Sequence, residues 1–334
     1  MTTYPLTQPQ LGIYFECVQH PEITEYNQPF VAHLPKTIDP DRLERALKTV
    51  YNARPELRTR YILQDGEPRQ YVGEKDTLEV KRLTMTEAEA EEFVKNSVTP
   101  FDIYNEVLCR FWIIETPKEY VMLTQIHHLF ADGMSLVMGF ATRDFTLAYK
   151  GEPLPEIPYG QFDAALEEEA SFATPEYARA KEYYREKYEG LNMVSLAKST
   201  DQPMGLQIRH SEFIPMEVVD NWCKEHGTAS NLLLMAAFSY VMGMLSREKN
   251  VIFTSLNHGR MDKRLRQSYG MYVRLVPTKA VIEPTQPVID FVRSFRTELM
   301  STIRYGIYPF SHFCRDLKMT QGVTFSYQGG NITE

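Results

Sequence analysis

Gln125-Ile126-His127-His128-Leu129-Phe130-Ala131-Asp132-Gly133-Met134-Ser135 closes an apolar, strand-like segment, Tyr120 to His127, and precedes a helix expected to begin near Ser135. Two histidines at a strand end followed by Asp-Gly give the pattern HHxxxDG, which chance produces in roughly one chain of this length in a thousand or fewer. Neighbouring strand residues point to opposite faces, so only one of His127 and His128 can face a cleft, and the other is structural. An imidazole, with a reference pKa of about 6.5, suits proton handling near neutrality. Gly133 is expected to take backbone angles closed to other residues. Asp132 either acts on the imidazole directly or locks the loop through a buried ion pair. Metal binding by His127, His128 and Asp132 is disfavoured, because the two rings diverge and no third ligand follows at helical spacing.

Outward from this stretch, strand-like segments are read at Leu57 to Leu63 and Val107 to Glu115, with turns at Asp65-Gly66 and Pro117-Lys118 that suit hairpins. Asp39 to Ala53 places Leu43, Leu47 and Val50 on one stripe, a helix with Asp39 as cap and Pro40 in its first turn. Gly151 to Pro158 breaks the pattern with three prolines and reads as a crossover, followed by helical stretches at Phe162 to Ala170 and Tyr177 to Tyr188. Later strands are expected at Leu206 to Ile214, Val251 to Asn257 and Met271 to Lys279. A buried helix covers Asn231 to Leu245, capped by Thr228 or Ser230, and another helix runs from Val288 to Ile303. The chain is thus an α/β (α+β) mixture with a largely antiparallel or mixed sheet, divided into lobes at 1–170 and 171–334.

The 334 residues are 43% hydrophobic and 24% charged, too many for one small core. A net charge of -8 leaves no electrostatic footprint for nucleic acid or an anionic membrane, although Lys263, Arg264 and Arg266 form a local basic run. The apolar window at Asn231 falls short of the roughly 20 residues that cross a bilayer, and Met1 to Pro5 lacks a secretion signal. Cys17, Cys109, Cys223 and Cys314 are far apart and form no CxxC pair, which fits a reduced, cytoplasmic setting. Serine-hydrolase, nucleotide-binding and zinc-protease motifs are absent.

The central segment resembles the HHxxxDG motif of nonribosomal peptide synthetase condensation domains, and other stretches fall in that family's order. Tyr4-Pro5-Leu6-Thr7 with Gln10 and Gly12 resembles the opening segment. Asn52 to Thr59 is similar to the RHExLRT stretch, with Pro55 in place of histidine; Tyr159 with Phe162 resembles YxDF; Gly270-Met271-Tyr272-Val273 resembles GxFVNT; and Tyr308-Pro309-Phe310 matches the late YPF element. The family's Asn-Thr is replaced by Arg274-Leu275. The chain stops at Thr333-Glu334, where the family continues for about a third of a domain. The second lobe is therefore expected to be incomplete and full activity to be compromised.

The resemblance implies two chloramphenicol-acetyltransferase-like lobes in a V-shaped pseudo-dimer, with a tunnel meeting at the motif. It implies acyl or peptidyl transfer from a thioester on one peptidyl carrier protein to an amine on another, beside an adenylation domain, in secondary-metabolite biosynthesis. Substrates ride on phosphopantetheine arms, so no tightly bound cofactor or metal is expected, and the isolated chain is expected to be a monomer. Candidate catalytic residues are His128, His127, Asp132 and Gly133. His128 orients or deprotonates the amine or stabilises the tetrahedral intermediate, and an N–H near Gly133 is a candidate oxyanion donor. Asp132 is expected to pair with Arg260, whose alternative is to cap a strand at the surface. His258, Tyr272, Arg274 and Ser135 are candidates for the tunnel or cleft. Three alternatives share the motif: a free-standing acyltransferase using coenzyme A or a carrier, a silent docking domain, and an epimerization domain, the last disfavoured by the expectation that no carrier precedes Met1.

Overall fold

The computed structural model describes residues 1–195 and 215–327. They form two compact units, one of residues 1–172 with 258–273, the other of the described residues in 173–257 and 274–327.

The first unit runs β1 (Tyr4–Pro5), α1 (Gln8–Gln19), β2 (Asn27–Pro35), α2 (Pro40–Ala53), β3 (Thr59–Gln64), β4 (Glu67–Val72), β5 (Val80–Thr84), α3 (Glu87–Asn96), β6 (Cys109–Glu115) and β7 (Glu119–His127). A helix of π geometry, Ser135–Phe145, then continues into α4 (Thr146–Lys150), and α5 (Gln161–Ser171) follows. One sheet has the order β1-β4-β3 and the other β2-β7-β6-β5, with β5 parallel to β6 and the remaining neighbours antiparallel. In α2 the Asp39 carboxylate accepts the N–H groups of Asp41 (2.8 Å) and Arg42 (3.2 Å), and Leu43, Leu47 and Val50 face the core. Asp65 and Gly66, with φ of 53° and 83°, supply the paired positive angles of the tight β3–β4 turn.

Two expectations need correction here. The strand placed at Leu57 begins at Thr59, because Pro55 opens a 3₁₀ turn over Pro55–Arg58. The proline-rich stretch from Gly151 is not the exit from the first unit: α5 beyond it still packs there, with the Phe162 ring 4.9 Å from that of Tyr4.

The second unit comprises α6 (Pro175–Tyr188), α7 (Met216–His226), α8 (Ser230–Ser246), β8 (Asn250–Asn257), β9 (Arg274–Val281), α9 (Val288–Arg304), α10 (Phe310–Leu317) and β10 (Thr324–Phe325). Its described sheet is β10-β8-β9, with β8 and β9 antiparallel and β10 parallel to β8. Val251 and Phe253 of β8 pack with Phe291 and Phe295 of α9. The strand expected at Leu206 to Ile214 lies outside the described residues. The residue capping α8 is Ala229 rather than Thr228 or Ser230; the Ser230 hydroxyl instead bonds Asp220. No single described helix is long and apolar enough to cross a membrane. All four cysteines are free thiols, and burial pushes Cys17 and Cys109 up to about 12.

Between β8 and β9 the chain makes an excursion, residues 258–273, that belongs to the first unit although its flanking strands belong to the second. The division read from the sequence counted this strap with the second half. The strand expected from Met271 accordingly begins only at Arg274, since the residues before it are bonded to the Asp132 loop.

Candidate active site

Strand β7 delivers the two histidines into different surroundings. His127, paired in register with Asn27, is 3% exposed and lies edge-on to Phe101 at 5.8 Å. Its Nδ1 accepts the Leu129 N–H (3.0 Å), which places the ring proton on Nε2, 3.7 Å from Cys17 Sγ. Burial, aided by the neighbouring His128, pushes its pKa down to about 3. Counted among the catalytic candidates by sequence, His127 is instead a neutral ring packed inside the unit.

His128 leaves the ladder. Its N–H donates to the Tyr26 carbonyl (2.7 Å), and its ring is half-buried with Nδ1 lacking a hydrogen bond among the described residues. Burial lowers its pKa; the carbonyls of His128 and Ala131 and the Asp132 charge pull the other way without reversing the shift. The imidazole is thus neutral near pH 7.

Asp132 and Arg260 are 0% and 3% exposed and form a two-pronged ion pair, Nη2 to Oδ1 at 2.8 Å and Nη1 to Oδ2. Asp132 Oδ1 also accepts the Ser135 N–H (2.9 Å) and Oδ2 the Tyr272 N–H (3.3 Å), while its own N–H donates to the Gly270 carbonyl (3.1 Å). Arg260 reaches Ser135 Oγ (2.9 Å) and lies 4.6 Å from the centroid of the Tyr272 ring. The strap makes this approach only because residue 259 is glycine: at φ +68° a Cβ there would sit 1.7 Å from the Tyr272 carbonyl oxygen. With its charge satisfied on several sides, Asp132 shapes the loop.

The other candidates divide. Ser135 and Tyr272, expected at the cleft, are buried in the lock around Asp132, where Tyr272 donates its hydroxyl to the Tyr269 carbonyl (2.8 Å). His258 is exposed and its Nδ1 accepts the Arg260 N–H (2.9 Å), so it supports the strap turn. Arg274 opens β9 in the second unit and donates to the Gly306 carbonyl (2.9 Å). Gly133 has no positive φ, which corrects the expectation of a glycine-only conformation; a Cβ there would meet nothing within 4 Å, so the missing side chain leaves open space.

Sequence reasoning missed two buried acids. Asp144 accepts from Arg143 (2.6 Å), Tyr269 (2.8 Å) and Arg54; burial would raise its pKa, but these donors win and hold it below the usual range. Burial raises the Glu56 carboxyl to about 7, against which its backbone hydrogen bonds and Arg54 act too weakly. A Cβ on residue 160 would lie 2.4 Å from Glu56 Oε1, which explains Gly160. The available signal was position: Arg54 and Glu56 both lie in the Asn52–Thr59 stretch already singled out.

Comparison with known proteins gives this geometry its family. The chain is 23% identical over 322 residues to tyrocidine synthase 2 of Brevibacillus parabrevis, covering 94% of this chain and 9% of that protein. To bacitracin synthase 3 of Bacillus licheniformis it is 22% identical over 330 residues, covering 96% and 5%. The chain thus spans a small fraction of these relatives' length. Among solved structures, the first condensation domain of the calcium-dependent antibiotic synthetase, in complex with substrate analogue 3a, superposes with a TM-score of 0.79 at 16% identity, covering 97% of this chain and 80% of that one. The starter condensation domain of rhizomide synthetase gives 0.80 at 18%, covering 97% and 78%. The model of the condensation domain matches residues 1–329, and the chain therefore belongs to the condensation-domain family of nonribosomal peptide synthetases.

Proposed function

We propose that this chain forms amide bonds, transferring an acyl or aminoacyl group from a carrier-bound thioester to a carrier-bound amine in nonribosomal peptide synthesis. The observation that carries the reading is His128, a half-buried imidazole at the head of the HHxxxDG loop whose pKa burial lowers, so that the ring is neutral near pH 7. A thioester is already activated, so the work left is presenting the amine and taking its proton. The amine nitrogen attacks the thioester carbon and the C–N bond forms. His128 accepts the ammonium proton, the C–S bond breaks, and the proton passes to the departing sulfur. The helix start at Gly133 offers an N–H to the oxyanion. In this reading both substrates arrive on phosphopantetheine arms of peptidyl carrier proteins, loaded by an adjacent adenylation domain, and no tightly bound cofactor takes part.

The test is intact-protein mass spectrometry of transfer between loaded donor and acceptor carriers, with and without His128→Ala. Condensed product on the acceptor, reduced at least about 100-fold by the substitution, is expected. The acid limb of the rate should lie below pH 6.5, the direction in which burial moves His128. Transfer to coenzyme A or a free amine would favour a free-standing acyltransferase. Product formed equally well without His128 would overturn the mechanism.

A further inference from the structure

Gln10, Gln70 and Gln161 are all fully buried in the first unit, and their amides join end to end. At one end the Met271 N–H of the strap, which can only donate, meets Gln161 Oε1 (3.2 Å). Gln161 therefore turns its Nε2 to Gln70 Oε1 (2.9 Å). Gln70 and Gln10 exchange a reciprocal pair of bonds, 3.1 and 3.2 Å, and Gln70 Nε2 also donates to the Pro5 carbonyl (2.8 Å). The other hydrogen of Gln10 Nε2 reaches the Leu129 carbonyl (3.0 Å), which can only accept. Both ends are backbone groups of fixed polarity, so no amide in the chain can flip without setting two donors or two acceptors against each other.

The destination of the chain gives it meaning. Leu129 directly follows His128, at the point where the β7 ladder has ended. Its carbonyl accepts from Gln10 and from the Tyr61 hydroxyl (3.3 Å), and its N–H donates to His127 Nδ1 (3.0 Å). The residue next to the reactive ring is thus held by side chains at both its N–H and its carbonyl.

We propose that Gln161, Gln70 and Gln10 are positioning residues that carry the placement of the strap to the Leu129 carbonyl and so fix the His128 ring for proton transfer. This rests on the reading of His128 as the reacting group. The relay touches no substrate, so its loss lowers kcat and leaves KM for the carriers in place.

Two variants of the full chain test it. Gln10→Met cuts the link to Leu129. Gln161→Glu keeps an acceptor for Met271 and, when protonated, a donor for Gln70; ionised, it sets a carboxylate against the Gln70 oxygen. In Gln161→Glu, kcat should be near wild type at low pH and fall about tenfold or more as the new carboxyl ionises, a dependence that wild type lacks. In Gln10→Met the loss should be pH-independent, and in both variants the NMR titration of the His128 ring should move. Because Gln161→Glu keeps its hydrogen bonds at low pH, it carries the test alone if Gln10→Met does not fold. Unchanged kcat and an unchanged His128 titration in folded variants would overturn the relay. His128→Ala, measured alongside, separates the two ideas: if it leaves transfer intact the parent reading fails, and the ring titration alone then decides the relay.

Discussion

Two side chains titrate in opposite directions because both are buried. Unfolded His127 takes up a proton below about pH 6.5 that the folded ring refuses until about 3, so stability is lost as pH drops through that window, by ~1.4 kcal/mol per unit. Folded Glu56 keeps a proton up to about 7 that the unfolded carboxyl releases above about 4.5, so its contribution falls as pH rises between those values. The two slopes offset each other between about 4.5 and 6.5. Below 4.5 His127 acts alone, and His127→Gln should flatten the acid loss there. Glu56→Gln should gain stability relative to wild type between pH 5 and 8. Urea denaturation at stepped pH reads both, and parallel curves for wild type and variants would refute the assignment. Gly133→Ala separates stability from rate: with open space around the new methyl, stability should hold or rise by up to about 1 kcal/mol, while the transfer rate falls because that space is taken.

Among the elements, those governed by local chemistry were legible. Asp39, Pro40 and the Leu43-Leu47-Val50 stripe specify α2 without help from the rest of the chain. Asp65-Gly66 specifies its hairpin, and the apolar runs of β6 and β7 stand out because both bury nearly every residue. Elements set by distant partners were not legible. Tyr272 reads as an apolar strand residue, yet its N–H goes to Asp132, 140 positions away, and that bond keeps it out of β9. Gln10 stood out only as part of the opening segment, and Gln70 and Gln161 carry no pattern in sequence, since the meaning of the three comes from meeting one another. Of the site, the Asp132–Arg260 pair was anticipated, while the burial of Ser135 and Tyr272 around it depends on the path of the strap. Gly259→Ala probes that path. With its Cβ against the Tyr272 carbonyl at positive φ, it should cost more than about 1 kcal/mol and lower transfer, whereas a stable, fully active variant would show that the strap turns otherwise.

At the scale of the molecule, the strap is tied to the first unit by a buried charge that has no substitute. Arg260→Ala would leave Asp132 buried and unpaired, an expected loss of about 3–5 kcal/mol. Arg260→Lys should restore little of it, because a single ammonium cannot make the two-pronged pair. Chemical denaturation measures both, and near-wild-type stability of Arg260→Ala would mean that the pair does not hold the strap.

That tie also governs how the protein is made. The first unit is interrupted in sequence: its continuous part ends at Phe172, and its last piece, Arg260 included, ends at Val273. On the ribosome the nascent chain must grow about 100 residues further, roughly 5–20 s at ordinary elongation rates, before Asp132 meets its counter-charge. Until then the half-made unit carries an open seam at the motif loop, so this protein cannot complete its folding strictly from the N-terminus. Its production should depend on chaperones that hold the waiting part, more than that of a two-domain chain whose halves each close in turn.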